Sequence, residues 1–279
     1  MIDKFIKQTI GLLKKSDIII RPTVIRPVEL NHEDNTQTVY MSGSDFYGGA
    51  RLEDNFILQI MIMFSVMDAL VDRKYPALGG ESFHKKYKEM PDDTDEQIMF
   101  KEIYRLLKVL RNASIHSMNS VSLEADHSIV ASYSYRETEF SLNISKNGME
   151  LIYTFIFNLI NPPIGKLTNN HISGIQRTLF DHINRSVVTF SDEFGSALRD
   201  ISDGLRLKRI VRYYVQNPMF VISNESIKIT SEYKLHSDLE EHYGIDYQIE
   251  VNDKIAVLPS EVLIDNKIKL NNLEIWYKD

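Results

Sequence analysis

Three residues close together in the chain, Arg111, Asn112 and His116, have the types and spacing to cut a phosphodiester without a metal. RNA cleavage by that route needs a base for the 2′-hydroxyl proton, positive charge on the pentacoordinate phosphorane and an acid for the leaving 5′-oxygen. An imidazole titrates near neutral pH and serves as base or acid, which suits His116. Arg111 cannot transfer a proton at neutral pH, but its guanidinium grips a phosphate with two donors. Asn112 stands one helical turn before His116, placed to fix the imidazole tautomer or to donate to phosphate. Lys101, Arg105 and Lys108 lie upstream at steps of four and three, and as an exposed stripe they would track an RNA backbone in a salt-sensitive way. The plainer alternative is that these cations only favour the C-terminal end of a helix dipole.

The element that must hold them is Asp95 to Met118, whose apolar positions Met99, Ile103, Leu106, Leu110 and Ala113 recur with helical spacing. Phe100, Tyr104 and Leu107 widen that stripe, and the basic residues form another face. Asp93 and Thr94 offer caps before it. A second helix is expected over Arg51 to Arg73, apolar around most of its circumference and therefore internal to a bundle or between subunits. Its Asp68 either orients Arg111 or faces water, with water favoured because an unpaired buried carboxylate is costly. Between them, Glu81 to Glu89 is a short basic helix whose Lys85, Lys86 and Lys88 read as a solvated face. After the motif the period changes to strands at Val121–Leu123, Ser128–Tyr135 and Glu139–Ile144, with Lys146-Asn147-Gly148 as a turn. Helix returns over Met149 to Ile160. His171 to Leu205 has apolar residues at steps of three and four, as one long helix or two broken near Thr189 to Ser191.

The Arg111-Asn112-x-x-x-His116 pattern, late in a long helix, resembles the signature of the HEPN superfamily (higher eukaryotes and prokaryotes nucleotide-binding). The resemblance covers roughly residues 50 to 205. It implies an antiparallel helical bundle and a metal-independent endoribonuclease with no cofactor, of the kind found as toxins or phage-defence effectors. One motif brings one imidazole, and in the family a symmetric dimer supplies the second, so a homodimer is implied, with an antitoxin or nucleotidyltransferase as a further partner. Degenerate members bind RNA or nucleotides without cutting. A helical oligomerising scaffold is the reading from a different class.

The expected fold class is mainly α: a HEPN-like bundle over 50–205 with a β insertion at about 119–148. An N-terminal segment, 1–49, would hold a short helix, short strands and a Gly-rich loop, and 206–279 would form a β-rich or α+β C-terminal unit. Arg206, Lys208, Arg209 and Arg212 open that unit as a basic cluster. The net charge of −7 argues against a protein that coats nucleic acid over its whole surface, though not against a local basic groove. The absence of Cys removes disulfides, thiol catalysis and Cys-based metal sites, and suits a reducing cytoplasm. No metal site is expected: His236, Asp238, Glu240 and His242 have a usable spacing but no supporting ligand pattern. No signal peptide is read at the N-terminus. The apolar run Phe56 to Val71 is interrupted by Gln59, Ser65 and Asp68, so no membrane span is expected.

Overall fold

The computed structural model describes residues 3, 6–7, 9–11, 23–32, 35–44, 56–116, 120–161, 167–208, 211–223, 225–231 and 243–278. Most of the expected N-terminal helix, the Gly-rich stretch after Ser44 and the 236–242 cluster lie outside these residues. The fold is α+β, which overturns the expected mainly helical class. Among the described residues, twelve strands form three sheets, of five, three and four strands. The chain groups into two units. One takes residues 1–21, 46–157 and 179–203, and the other takes 22–45, 158–178 and 204–279.

In the first unit, α1 (Phe56–Lys74) buries Ile60, Met63, Phe64, Val66, Met67, Leu70 and Val71. It packs on α3 (Asp95–His116), with the rings of Phe64 and Tyr104 5.7 Å apart. The start of α3 is a reciprocal cap. Gln97 N–H donates to Thr94 Oγ1, while Gln97 Oε1 accepts from the backbone of Asp93 and Thr94. Between them, α2 (Phe83–Glu89) starts at Ser82, whose hydroxyl accepts from Lys85 N–H.

The β meander is β3 (Val121–Leu123), β4 (Ile129–Tyr135) and β5 (Thr138–Ile144), all antiparallel. Its tight turn is Arg136-Glu137, both with positive φ (48° and 65°). Lys146-Asn147-Gly148 is not a turn but the first turn of α4 (Lys146–Ile160), where Ser145 Oγ accepts from Gly148 N–H. A Cβ at Gly148 would come within 2.6 Å of Ser186 Cβ, so close packing accounts for this glycine inside a helix. Helix α5 (Asn169–Ser186) ends where β6 (Val187–Ser191) begins, and β6 pairs with β5. The expected continuation of helix through 189–205 is therefore wrong. The run Val187-Val188-Thr189 is β-branched and takes the extended form that suits it.

In the second unit, β1 (Thr23–His32) and β2 (Asn35–Ser44) form a hairpin whose second strand pairs with β7 (Val211–Gln216). Strand β1 is an edge, where Pro27 is tolerated. The parallel pair β7 and β10 (Tyr243–Val251) is followed by β11 (Lys254–Pro259). The small sheet is β8 (Phe220–Ser223), β9 (Ser226–Ile229) and β12 (Lys267–Lys269).

Arg212 is not part of a surface basic cluster. It is fully buried, donates to both Asp246 oxygens at 2.8 and 2.6 Å, and also reaches Glu261 at 2.6 Å. A Cβ at Gly244 would collide with this guanidinium, so the glycine makes room for it. His171 Nε2 lies 3.1 Å from Asp246 Oδ1, and its ring meets Trp276 edge-on at 5.0 Å.

Two predictions follow from this packing. Turns with two positive φ values favour Asn-Gly, and a non-Gly residue there costs roughly 1–2 kcal/mol. Glu137→Gly is therefore expected to raise the melting temperature by a few degrees; calorimetry showing a fall would contradict this turn. For Asp246, burial pushes the carboxyl up, but Arg212 and His171 pull it further down, to about 2. A depressed carboxyl stabilises the fold above its unfolded value of about 3.9, and that contribution is lost as pH falls through about 2. The emission of Trp276, the one Trp in the chain, should report this acid transition. Asp246→Asn should flatten that part of the pH dependence, and an unchanged profile would count against the role given to Asp246.

Candidate phosphodiester site at the end of α3

Helix α3 is basic along one face, but most of that charge is internal. Arg105 is buried and forks onto Asp192, with Nε to Oδ2 at 2.9 Å and Nη2 to Oδ1 at 2.5 Å. It also donates to Glu102 Oε2 at 3.0 Å and to the carbonyls of Gly195 and Ala197, both at 2.9 Å. The acceptor loop is shaped for this. Asp192 Oδ1 takes the Phe194 N–H in a tight turn, and Gly195 sits at φ +132°, a conformation open to glycine.

Lys108 Nζ is buried and donates to Glu193 Oε1 at 2.6 Å. Lys101 Nζ is held by Asp92 and the Met90 carbonyl, both at 2.8 Å. The exposed RNA-tracking stripe expected from Lys101, Arg105 and Lys108 is thus corrected. Each of the three is at most 5% exposed and carries a carboxylate partner. Lys86, read from sequence as solvated, is buried between Asp68 and Asp72. Asp68 accepts from Lys86 and from Tyr104, so it neither faces water alone nor orients Arg111.

Arg111 is different. Among the described residues no carboxylate lies within ion-pair distance of it. Its guanidinium stacks over Phe83 at 4.8 Å and donates to Asn112 Oδ1 at 3.0 Å. Arg111 and Asn112 together line a cavity of about 1010 Å³, whose walls also include His84, Tyr133, Arg136 and Glu193. The structure therefore brings together two of the three motif residues. Helix α3 runs to His116, but the His116 side chain is outside the described residues.

Two polar atoms of cavity-lining residues are buried without a hydrogen-bond partner among the described residues: Tyr133 Oη and Glu193 Oε2. Burial, opposed by the nearby Asn112 amide, pushes the Tyr133 hydroxyl up to about 12, so at neutral pH it keeps its proton and can donate. Tyr133 is stacked on Phe140 at 4.5 Å, which fixes its ring.

Tyr133, Arg136 and His84 were missed from sequence. Tyr133 lies within β4 and Arg136 in the β4–β5 turn, whose positions the strand pattern signalled only loosely. His84 has no local signal, because its partner Glu193 is far away along the chain. Among the described residues, no group of three or more His, Cys, Asp or Glu could hold a metal ion, and no helix is long and apolar enough to cross a membrane. No family profile, curated protein or solved structure matches the chain.

The contrast within α3 can be tested by urea unfolding. Removing one member of a buried ion pair costs about 3–5 kcal/mol, so Arg105→Ala should lose stability on that scale. Arg111→Ala should lose less than about 1 kcal/mol, as expected for a site without a buried charge partner. Equal losses would contradict the distinction drawn between the two arginines.

Proposed function

We propose that the chain is a metal-independent endoribonuclease of the HEPN type. The supporting observation is that Arg111 lines an open cavity and, unlike Lys101, Arg105 and Lys108, has no carboxylate within ion-pair distance among the described residues. A guanidinium in that situation is the natural seat for a phosphate. Asn112 adds a neutral polar group beside it. The arrangement suits charge stabilisation of the phosphorane, the part of the reaction that a fixed cation can perform.

His116, one turn beyond Asn112, is assigned a proton-transfer role, as acid for the departing 5′-oxygen. The products would be a 2′,3′-cyclic phosphate and a 5′-hydroxyl. A homodimer that sets two such sites side by side, and a role as a toxin or phage-defence effector, belong to the same proposal and rest on the resemblance of the Arg-Asn-x-x-x-His pattern.

The test is incubation of the purified protein with total RNA in EDTA, followed by end-group analysis. Wild type should cut and leave cyclic phosphate ends. Arg111→Ala and His116→Ala should each lower the rate at least about 10²-fold, the scale for loss of one electrostatic or acid–base group, with circular dichroism and oligomeric state unchanged. RNA bound but left intact would instead favour a non-catalytic RNA-binding module.

A further inference from the structure

The motif supplies one imidazole, while the reaction needs both a base and an acid. The first turn of α2 brings an imidazole to the cavity lined by Arg111 and Asn112. Phe83 lies under the Arg111 guanidinium, and the next residue, His84, lines the cavity that holds Arg111 and Asn112.

His84 is oriented. Its ring stacks on Phe194 at 5.0 Å with 23° between planes. Its Nδ1 lies 3.3 Å from Glu193 Oε1, a long but directed contact. An ionised carboxylate only accepts, so in the neutral form of the ring the Nδ1 facing it carries the proton and Nε2 keeps its lone pair. A carboxylate behind one ring nitrogen and a basic lone pair on the other is the arrangement of a positioned general base. Glu193 is itself anchored by Lys108 at 2.6 Å, so the buried basic face of α3 holds the carboxylate that holds the imidazole. The His84 side chain is 59% exposed, open to an incoming strand.

We propose that His84 is the general base of this site, taking the 2′-hydroxyl proton while Arg111 holds the phosphate. This rests on the ribonuclease reading above. In the step, the 2′-oxygen bonds to phosphorus as its proton passes to His84 Nε2. The P–O5′ bond breaks with its electron pair on O5′, which takes a proton from His116. The base then comes from the same chain as Arg111, and no imidazole from a second copy is required for it.

The experiment compares an RNA dinucleotide with its 5′-bridging phosphorothiolate, whose thiolate leaves without an acid. Wild type, His84→Ala, His84→Gln and His116→Ala are assayed in EDTA. Both His84 variants should be slowed at least about 10²-fold on both substrates, whereas the His116→Ala defect should disappear on the sulfur substrate. His84 variants that cut both substrates at the wild-type rate, or whose defect disappears with sulfur, overturn the assignment while leaving the ribonuclease reading standing. A wild-type protein that leaves RNA intact removes both.

Discussion

The two-pronged contact between Arg105 and Asp192 is the constraint on which the first unit depends. It joins the middle of α3 to the loop that follows β6, across a long stretch of chain. Both side chains are buried, so neither charge is tolerable without the other. The pair is further satisfied by Glu102 and by two loop carbonyls, as a buried guanidinium with five donors demands. The same loop carries Glu193 and Phe194, which reach Lys108 and His84. An ionic core that looks purely structural therefore also sets the orientation of the cavity wall.

This divides the basic face of α3 into two classes. Lys101, Arg105 and Lys108 spend their charge on internal carboxylates. Arg111, beyond them, stacks on Phe83 and has no carboxylate within ion-pair distance among the described residues. Arg111 and Arg136 line the cavity beside the Lys108–Glu193 pair. Under the proposed function the cavity would take a single phosphate and not a long tract of backbone, in keeping with a chain whose net charge is −7.

Much of the local structure was legible in the sequence. The apolar period of α3 and its cap at Thr94 place the helix, and the alternation after Val121 places the meander. What sequence could not show was which polar face turns inward. Periodicity separates faces, but both faces of α3 are buried, and the acids that make this possible lie in a loop far along the chain. The same distance hid the link between His84 and Glu193. The error at 187–191 was different. Apolar spacing carried the helix onward, although Val187-Val188-Thr189 already argued for a strand. The N-terminal hairpin was invisible as part of a larger sheet, because its partner β7 comes from the C-terminal third of the chain.

The central claim is that Arg111, and not Arg105, is the guanidinium of α3 that meets phosphate. The most direct measurement follows the side-chain Nε–H signals of both arginines by nitrogen-15 NMR while a 2′-O-methyl oligoribonucleotide, which cannot be cut, is added in EDTA. The Arg111 signal should shift and saturate, with Arg105 unmoved behind its bond to Asp192. An Arg111 signal that ignores the oligonucleotide, or an Arg105 signal that responds in its place, would contradict this account.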